Sequence, residues 1–149
     1  MQGGVAMGLE KNCPITVGTM QTGARNLITD VPGVLVGHCT LSDGERQTGV
    51  TAILPHGGDL FHDKVVAAAH VFNGFGKSMG LVQLEEMGTI ETPVLLTNTL
   101  SAGAVYDGLV RVMLEKYPDI GDTTGTVNPI VCECNDGGIN HIRGLFVGE

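Results

Sequence analysis

The sequence predicts a layered α/β domain, in which helices cover a β-sheet. Short β-rich runs alternate with two runs of helical spacing, and 23 glycines among 149 residues indicate many tight turns. The predicted order of elements is β-β-β-α-β-α-β, which is typical of helices packed on a sheet. A chain of this length, 42% hydrophobic, can bury one ordinary core, so we expect a single domain.

Five segments carry the strand prediction. Residues 33–39 (GVLVGHC) and 49–54 (GVTAIL) are β-rich, and a Ser-Asp-Gly turn between them indicates a hairpin. Residues 65–72 (VVAAAHVF) form an apolar run whose length favours a buried strand, although its alanines also permit a helix. Residues 93–97 and 128–133 predict two further short strands.

Two segments predict helices. Apolar residues recur at helical spacing over residues 77–87, and Gly88 is a suitable C-cap. A second helix follows Ser101, which resembles an N-cap, and it ends before Pro118.

Composition excludes several classes of protein. The formal net charge of -8 leaves no basic stripe to neutralise phosphates, so we do not expect nucleic acid as a partner. The apolar runs are far shorter than the roughly 20 residues that span a bilayer, so no membrane helix is expected. Residues 1–19 contain no unbroken apolar stretch of a secretory signal. We therefore expect a cytoplasmic protein.

Neither cysteine nor histidine spacing predicts a metal site. Cys132 and Cys134 would point to the same face of a strand, but no second ligand pair lies nearby at suitable spacing. We expect reduced, buried, structural cysteines, and the four are Cys13, Cys39, Cys132 and Cys134. The five histidines show no paired spacing such as H-E-x-x-H. Residues 73–77 (NGFGK) lack the other positions of a phosphate-binding loop, so they predict a turn.

Glu91 precedes a predicted buried strand, unlike Glu85 and Glu86, which face outward on the predicted helix. A buried carboxylate needs a partner because an unpaired buried charge is costly. Two interpretations remain open at this position. Glu91 is either an exposed residue at the start of a strand or a receptor for an ammonium group.

Tyr106 falls in the first turns of the second helix, just after the polar residues 97–99. A tyrosine in such a position is usually a half-buried packing residue whose hydroxyl finds one partner. The alternative is a hydrogen-bond donor to a reacting carbonyl.

Five strings resemble successive signature blocks of the D-aminopeptidase / β-peptidyl aminopeptidase family. They appear in the expected order, at residues 26–38 (NLITDVPGVLVGH), 48–55 (TGVTAILP), 71–76 (VFNGFG), 90–106 (IETPVLLTNTLSAGAVY) and 133–139 (ECNDGGI). The resemblance implies a four-layer αββα sandwich similar to the N-terminal-nucleophile hydrolases. It also implies a precursor that cleaves itself, so that the new N-terminal serine becomes the nucleophile.

The resemblance assigns roles to three residues. Glu91 matches the carboxylate that receives the free amino group of the substrate, Tyr106 matches a catalytic tyrosine near the reacting carbonyl, and the Asn98 loop resembles a wall of the same pocket. The implied substrate is a small peptide or an amino-acid amide or ester. No metal or organic cofactor is implied, and a homo-oligomer is expected.

The later blocks of the family are absent from this sequence. They include an asparagine of the oxyanion hole and the Gly-Ser or Asn-Ser cleavage site. None of Ser42, Ser78 and Ser101 has the context of the family nucleophile. We therefore expect residues 1–25 to be an N-terminal extension and residues 26–149 to be the front part of the aminopeptidase domain. A missing C-terminal chain would carry the serine.

Two alternatives remain open for the function. The first is a non-catalytic remnant that retains the front part of the fold and its amine pocket. The second is an acyltransferase similar to the ornithine acetyltransferases, which use a threonine nucleophile.

Overall fold

The computed structural model describes residues 18–148, and their elements form a mixed α/β arrangement. In chain order these elements are β1 (Leu35–Asp43), β2 (Arg46–Leu54), β3 (Val65–Val66), α1 (Leu81–Met87), β4 (Thr89–Ile90), β5 (Val94–Asn98), α2 (Ala102–Lys116) and β6 (Ile130–Cys134). The predicted α/β class is confirmed. Within the described range, no helix combines the length and the apolar character needed to cross a membrane.

The main sheet has the strand order β1-β2-β5-β6. Strands β1 and β2 form the predicted hairpin, which turns at Gly44 with a φ of +54°, a conformation that glycine adopts without strain. Strand β5 is antiparallel to β2 and parallel to β6. Parallel neighbours need a crossover connection, and α2 lies in that connection.

Both faces of the sheet carry apolar clusters. Val105 of α2 packs with Val131 of β6, and Leu95 and Tyr106 lie against them. In the second cluster, Leu84 of α1 packs with Ile90 of β4 and Ile130 of β6. The strands that position the candidate site are therefore held between α1 and α2.

The prediction of a strand over residues 65–72 was wrong beyond its first two residues. Val65 and Val66 pair with β4, and the amide of Ala67 donates to the carbonyl of Gly88 at 2.9 Å. Continuing the same register would bring the following residues opposite α1, whose backbone groups bond within the helix. The run therefore ends as a strand because its partner becomes a helix.

The first predicted helix begins later than expected. Met79 instead pairs with Val131 of β6, its amide donating at 2.9 Å. Gly80 then turns the chain into α1 with a φ of +85°. The predicted C-cap is confirmed, because Gly88 is left-handed and donates to the carbonyl of Leu84 at 2.9 Å.

Two expectations about polar side chains also need correction. Ser101 does occupy the N-cap position of α2, but its side chain makes no capping hydrogen bond. Cys39 and Cys134 are exposed and Cys132 is partly buried, so the expectation of buried cysteines was wrong for the three described ones. Strand β1 is an edge strand with few covered residues, and this leaves Cys39 accessible. Cys13 lies outside the described residues.

Candidate functional site

Glu91 is a buried carboxylate with partners inside the chain. The residue is 6% exposed and lies between β4 and β5. Its Oε2 atom accepts a hydrogen bond from the ammonium group of Lys64. Its Oε1 atom accepts from the backbone amide of Asn128 at 2.8 Å and from the side chain of Gln83 at 3.3 Å. The chain itself thus supplies the ammonium partner that a buried carboxylate requires.

Asn98 ends β5 and organises the turn that leads into α2. Its Oδ1 atom accepts from the amide of Ser101 at 3.0 Å, and its Nδ2 atom donates to Thr48 Oγ1 at 2.9 Å. The residue is 4% exposed. It nevertheless borders a hollow of about 300 Å³ on the sheet, which Gln47, Cys134 and Asp136 also line. Asn98 therefore caps the turn before α2 and also borders this hollow.

Tyr106 lies in the second turn of α2 and is half-buried. Its ring packs beside Val105 and Val131 in the apolar cluster under the helix. Four residue steps, roughly 6 Å along the helix axis, separate it from Ala102, where α2 begins. Tyr106 therefore lies on the helix that follows the Asn98 turn.

The three predicted site residues do not come together at one point. Val94 pairs with Ile130 at the start of β5, and Asn98 pairs with Cys134 at its end. Four residue steps along a strand span roughly 13 Å, and Glu91 lies before the first of them. The structure thus places Asn98 at one end of β5 and Glu91 near the other end, with Tyr106 on the helix that follows Asn98.

Glu133 is a second carboxylate, and it lies at the Asn98 end of the sheet. It is opposite Thr97 in the β5–β6 register and is partly exposed. Thr99 donates its hydroxyl to one carboxylate oxygen, and the amide of Lys77 donates to the other at 2.9 Å. These hydrogen bonds, the Thr99 bond first, lower the pKa of Glu133 below its usual 4.5. Glu133 is therefore held in its charged form.

Glu133 begins the ECND string, but no pattern in the sequence assigned a role to it. One signal could have identified it. A carboxylate next to the last residue of a buried strand lies close to the loops that follow neighbouring parallel strands, where binding residues often gather.

In the described part of the chain, neither Ser42 nor Ser101 has a base hydrogen-bonded to its hydroxyl. Ser42 is exposed and donates its hydroxyl to Gln47 Oε1 at 2.8 Å. The hydroxyl of Ser101 is buried and has no hydrogen-bond partner among residues 18–148. A nucleophilic serine needs a neighbouring base and access to substrate.

Known proteins resemble this chain in sequence and in fold. The sequence profile of peptidase family S58 matches residues 26–149. The chain is 39% identical over 135 residues to the β-peptidyl aminopeptidase BapA of Sphingosinicella microcystinivorans, covering 84% of this chain and 33% of that protein. A crystal structure of a protein from Pyrococcus horikoshii OT3 superposes with a TM-score of 0.83 at 53% identity, covering 89% of this chain and 40% of the other.

A further neighbour is the L-aminopeptidase D-Ala-esterase/amidase of Ochrobactrum anthropi. It has a TM-score of 0.75 and 35% identity, covering 88% of this chain and 39% of the other. It is described as a prototype for the serine aminopeptidases and as a new variant among the Ntn hydrolase fold. The chain spans about a third of the length of the curated relatives that it matches. On the family profile and these relatives, the chain belongs to peptidase family S58.

Proposed function

We propose that this chain provides the amine-binding part of a self-processing serine aminopeptidase that releases N-terminal residues from small peptides, amides or esters. The family match carries the proposal, since it covers residues 26–149. The serine nucleophile would lie in a segment that this sequence does not contain. The short span relative to the curated relatives supports this division, as does the lack of a base bonded to the hydroxyl of Ser42 or Ser101 in the described residues.

Glu91 is the first candidate receptor for the amino group of the substrate. A charge-assisted hydrogen bond in a dry site is strong enough to select free amines. Lys64 already occupies one oxygen of this carboxylate, so a substrate ammonium would have to displace it. Binding at Glu91 therefore requires that Lys64 move.

Glu133 is the second candidate, and one observation favours it. Its two hydrogen bonds come from neutral donors, Thr99 and the amide of Lys77, and it forms no ion pair with another described residue. It also lies at the same end of β5 as Asn98, from which a short turn leads into the helix that carries the proposed catalytic Tyr106.

The test uses a longer reading frame that carries the nucleophile, with single variants Glu91→Gln, Glu133→Gln and Glu85→Gln. Each variant removes one negative charge, but Glu85 is exposed on α1, so it reports only the general field. Loss of the true receptor should lower kcat/KM for free-amine substrates by an amount that corresponds to roughly 2 to 4 kcal/mol of transition-state stabilisation. It should hardly affect kcat/KM for N-acetylated substrates. Equal effects of all three variants would contradict both candidates.

The 149-residue chain alone should show no hydrolysis of aminoacyl p-nitroanilides, because the proposed nucleophilic serine lies outside it. Persistent turnover that disappears in Ser101→Ala would overturn this expectation. The DNA beyond codon 149 separates the alternatives. An in-frame Gly-Ser site supports the aminopeptidase, a threonine-led site supports an acyltransferase, and an immediate stop supports a non-catalytic remnant.

Self-cleavage, homo-oligomer formation and a cytoplasmic location complete the proposal. Each follows from the family resemblance or the sequence and has its own readout. Mass spectrometry of the longer product would detect cleavage, light scattering would give its oligomeric state, and cell fractionation would give its compartment.

A further inference from the structure

His62 lies between two carboxylates that come from distant parts of the chain. Its Nδ1 atom is 2.8 Å from Asp59 Oδ2, and its Nε2 atom is 2.9 Å from Asp119 Oδ2. Asp59 also accepts the backbone amide of His62 at 3.1 Å. Asp59 and His62 belong to the segment after β2, whereas Asp119 belongs to the turn after α2. The imidazole therefore bridges two segments that are 57 residues apart in sequence.

The geometry requires a charged imidazole. An ionised carboxylate only accepts hydrogen bonds, and a neutral imidazole has one N–H donor, whereas the imidazolium has two. Both contacts can be hydrogen bonds only while His62 is protonated. Loss of the proton leaves one ring nitrogen with a lone pair facing a carboxylate, so one of the two contacts must open.

Aromatic and charged groups surround the imidazole. The Phe61 and Tyr117 rings lie nearly perpendicular to the His62 ring, with centroid separations of 5.0 and 5.6 Å. The other titratable or charged side chains around this contact are Tyr117 itself, Asp63, Lys64 over the Phe61 ring and Lys116 over the Tyr117 ring. The two carboxylates are the only acceptors that the described residues offer to the ring nitrogens of His62.

We propose that His62 is a proton-dependent clamp that fastens the segment after β2 to the turn after α2. The hydrogen bonds with Asp119 and then Asp59 raise the pKa of His62 above its usual 6.5. The clamp therefore contributes fully below pH 6.5 and is lost as the pH rises through the raised pKa. On the acid side, His62 lowers the pKa of Asp59 from 3.8 to about 2, so its contribution is lost only as the pH falls toward that value.

The first experiment is an NMR titration of the His62 imidazole in the full chain. The wild-type protein should titrate above 6.5, and Asp119→Asn and Asp59→Asn should each lower the pKa of His62. Asp107→Asn is the matched control, because it removes an exposed carboxylate of α2 whose partner is Arg111. A wild-type value at the ordinary 6.5, or equal shifts in all three variants, would overturn the clamp.

The second experiment measures amide protection on both sides of the clamp. The amide of His62 donates to the side chain of Asp59, and the amide of Thr124 donates to the backbone carbonyl of Asp119. Both amides should lose protection from exchange as the pH rises through the His62 pKa. Dividing each rate by its intrinsic exchange rate removes the ordinary pH dependence of exchange. The amide of Gly88, at the end of α1, is the internal control.

In Asp119→Asn, an amide side chain can pair with either ring form, so the pH dependence of protection should disappear. This result is expected whether or not the variant is slightly less stable than the wild type. Protection that falls equally at Gly88, or that still follows pH in Asp119→Asn, would show that His62 does not hold the two segments together.

Discussion

The ammonium group of Lys64 is hydrogen-bonded to the carboxylate of Glu91, although 27 residues separate them in sequence. The Glu91 side chain is 8% exposed and that of Lys64 is 38% exposed. A charge that is this well covered depends on its partner, whereas an exposed ion pair contributes little. The contact also determines what a substrate amine would have to displace.

Replacing Lys64 by Met should therefore destabilise the chain. Glu91 would keep the bonds from Gln83 and Asn128, and water can reach the site of Lys64, so the loss should be only roughly 1 to 2 kcal/mol in urea unfolding. Arg111→Met, which breaks an exposed pair with Asp107, is the control and should cost about 0.5 kcal/mol or less. Equal losses would mean that the burial of Glu91 is unimportant.

Asn98→Ala should weaken the turn before α2. Both of its side-chain hydrogen bonds are lost, and a lost cap of this kind costs about 1 to 2 kcal/mol of unfolding free energy. Asn98→Ser keeps an uncharged side-chain oxygen that can accept from the Ser101 amide and loses the donor to Thr48, so it should cost less. If the two variants were equally unstable, the cap would not be the important contact.

Thr99→Val should raise the pKa of Glu133, because the threonine hydroxyl is the main group that lowers it. A lowered pKa stabilises the fold above the usual 4.5, and this contribution is lost as the pH falls through the folded-state value. The unfolding free energy of the variant should therefore depend less on pH over that range. Carboxyl NMR titration measures the shift. Thr97→Val is the control, since that hydroxyl donates to Gly49 instead.

Gly80→Ala should be strongly destabilising. Gly80 has a φ of +85°, and an added Cβ would lie 2.0 Å from the carbonyl oxygen of Pro129. Strain and overlap together should cost roughly 2 to 4 kcal/mol of unfolding free energy. Gly108→Ala offers the opposite outcome, because this exposed helical position has open space and the change should stabilise α2 by about 0.5 to 1 kcal/mol. A folded Gly80→Ala variant of unchanged stability would refute the close contact.

The purified chain should self-associate, because large apolar side chains are exposed and β1 forms an edge of the main sheet. Phe72 is 91% exposed and Phe75 is 81% exposed, and β1 is nine residues long. Light scattering should show association that rises with concentration, and Phe72→Ser should reduce it more than Leu114→Ser on α2. A concentration-independent monomer would contradict this prediction.

The sequence alone determined the features that depend on near neighbours. The β1–β2 hairpin, the C-cap at Gly88 and helix α2 all follow from turn residues and spacing within a few positions. The family resemblance followed from several strings in order, and residues 26–149 do match peptidase family S58. The roles of Glu91, Asn98 and Tyr106 stay predictions.

Only the tertiary structure decided the features that depend on pairing across the chain. Residues 67–72 are apolar enough for a strand, but the residues opposite them form α1, so no ladder can continue. The sequence indicated that Glu91 needs a partner, yet Lys64 could be identified only once the chain had folded. The position of Glu133 beside the Asn98 end of β5 has the same origin, because strand register is set by contacts between residues far apart in sequence.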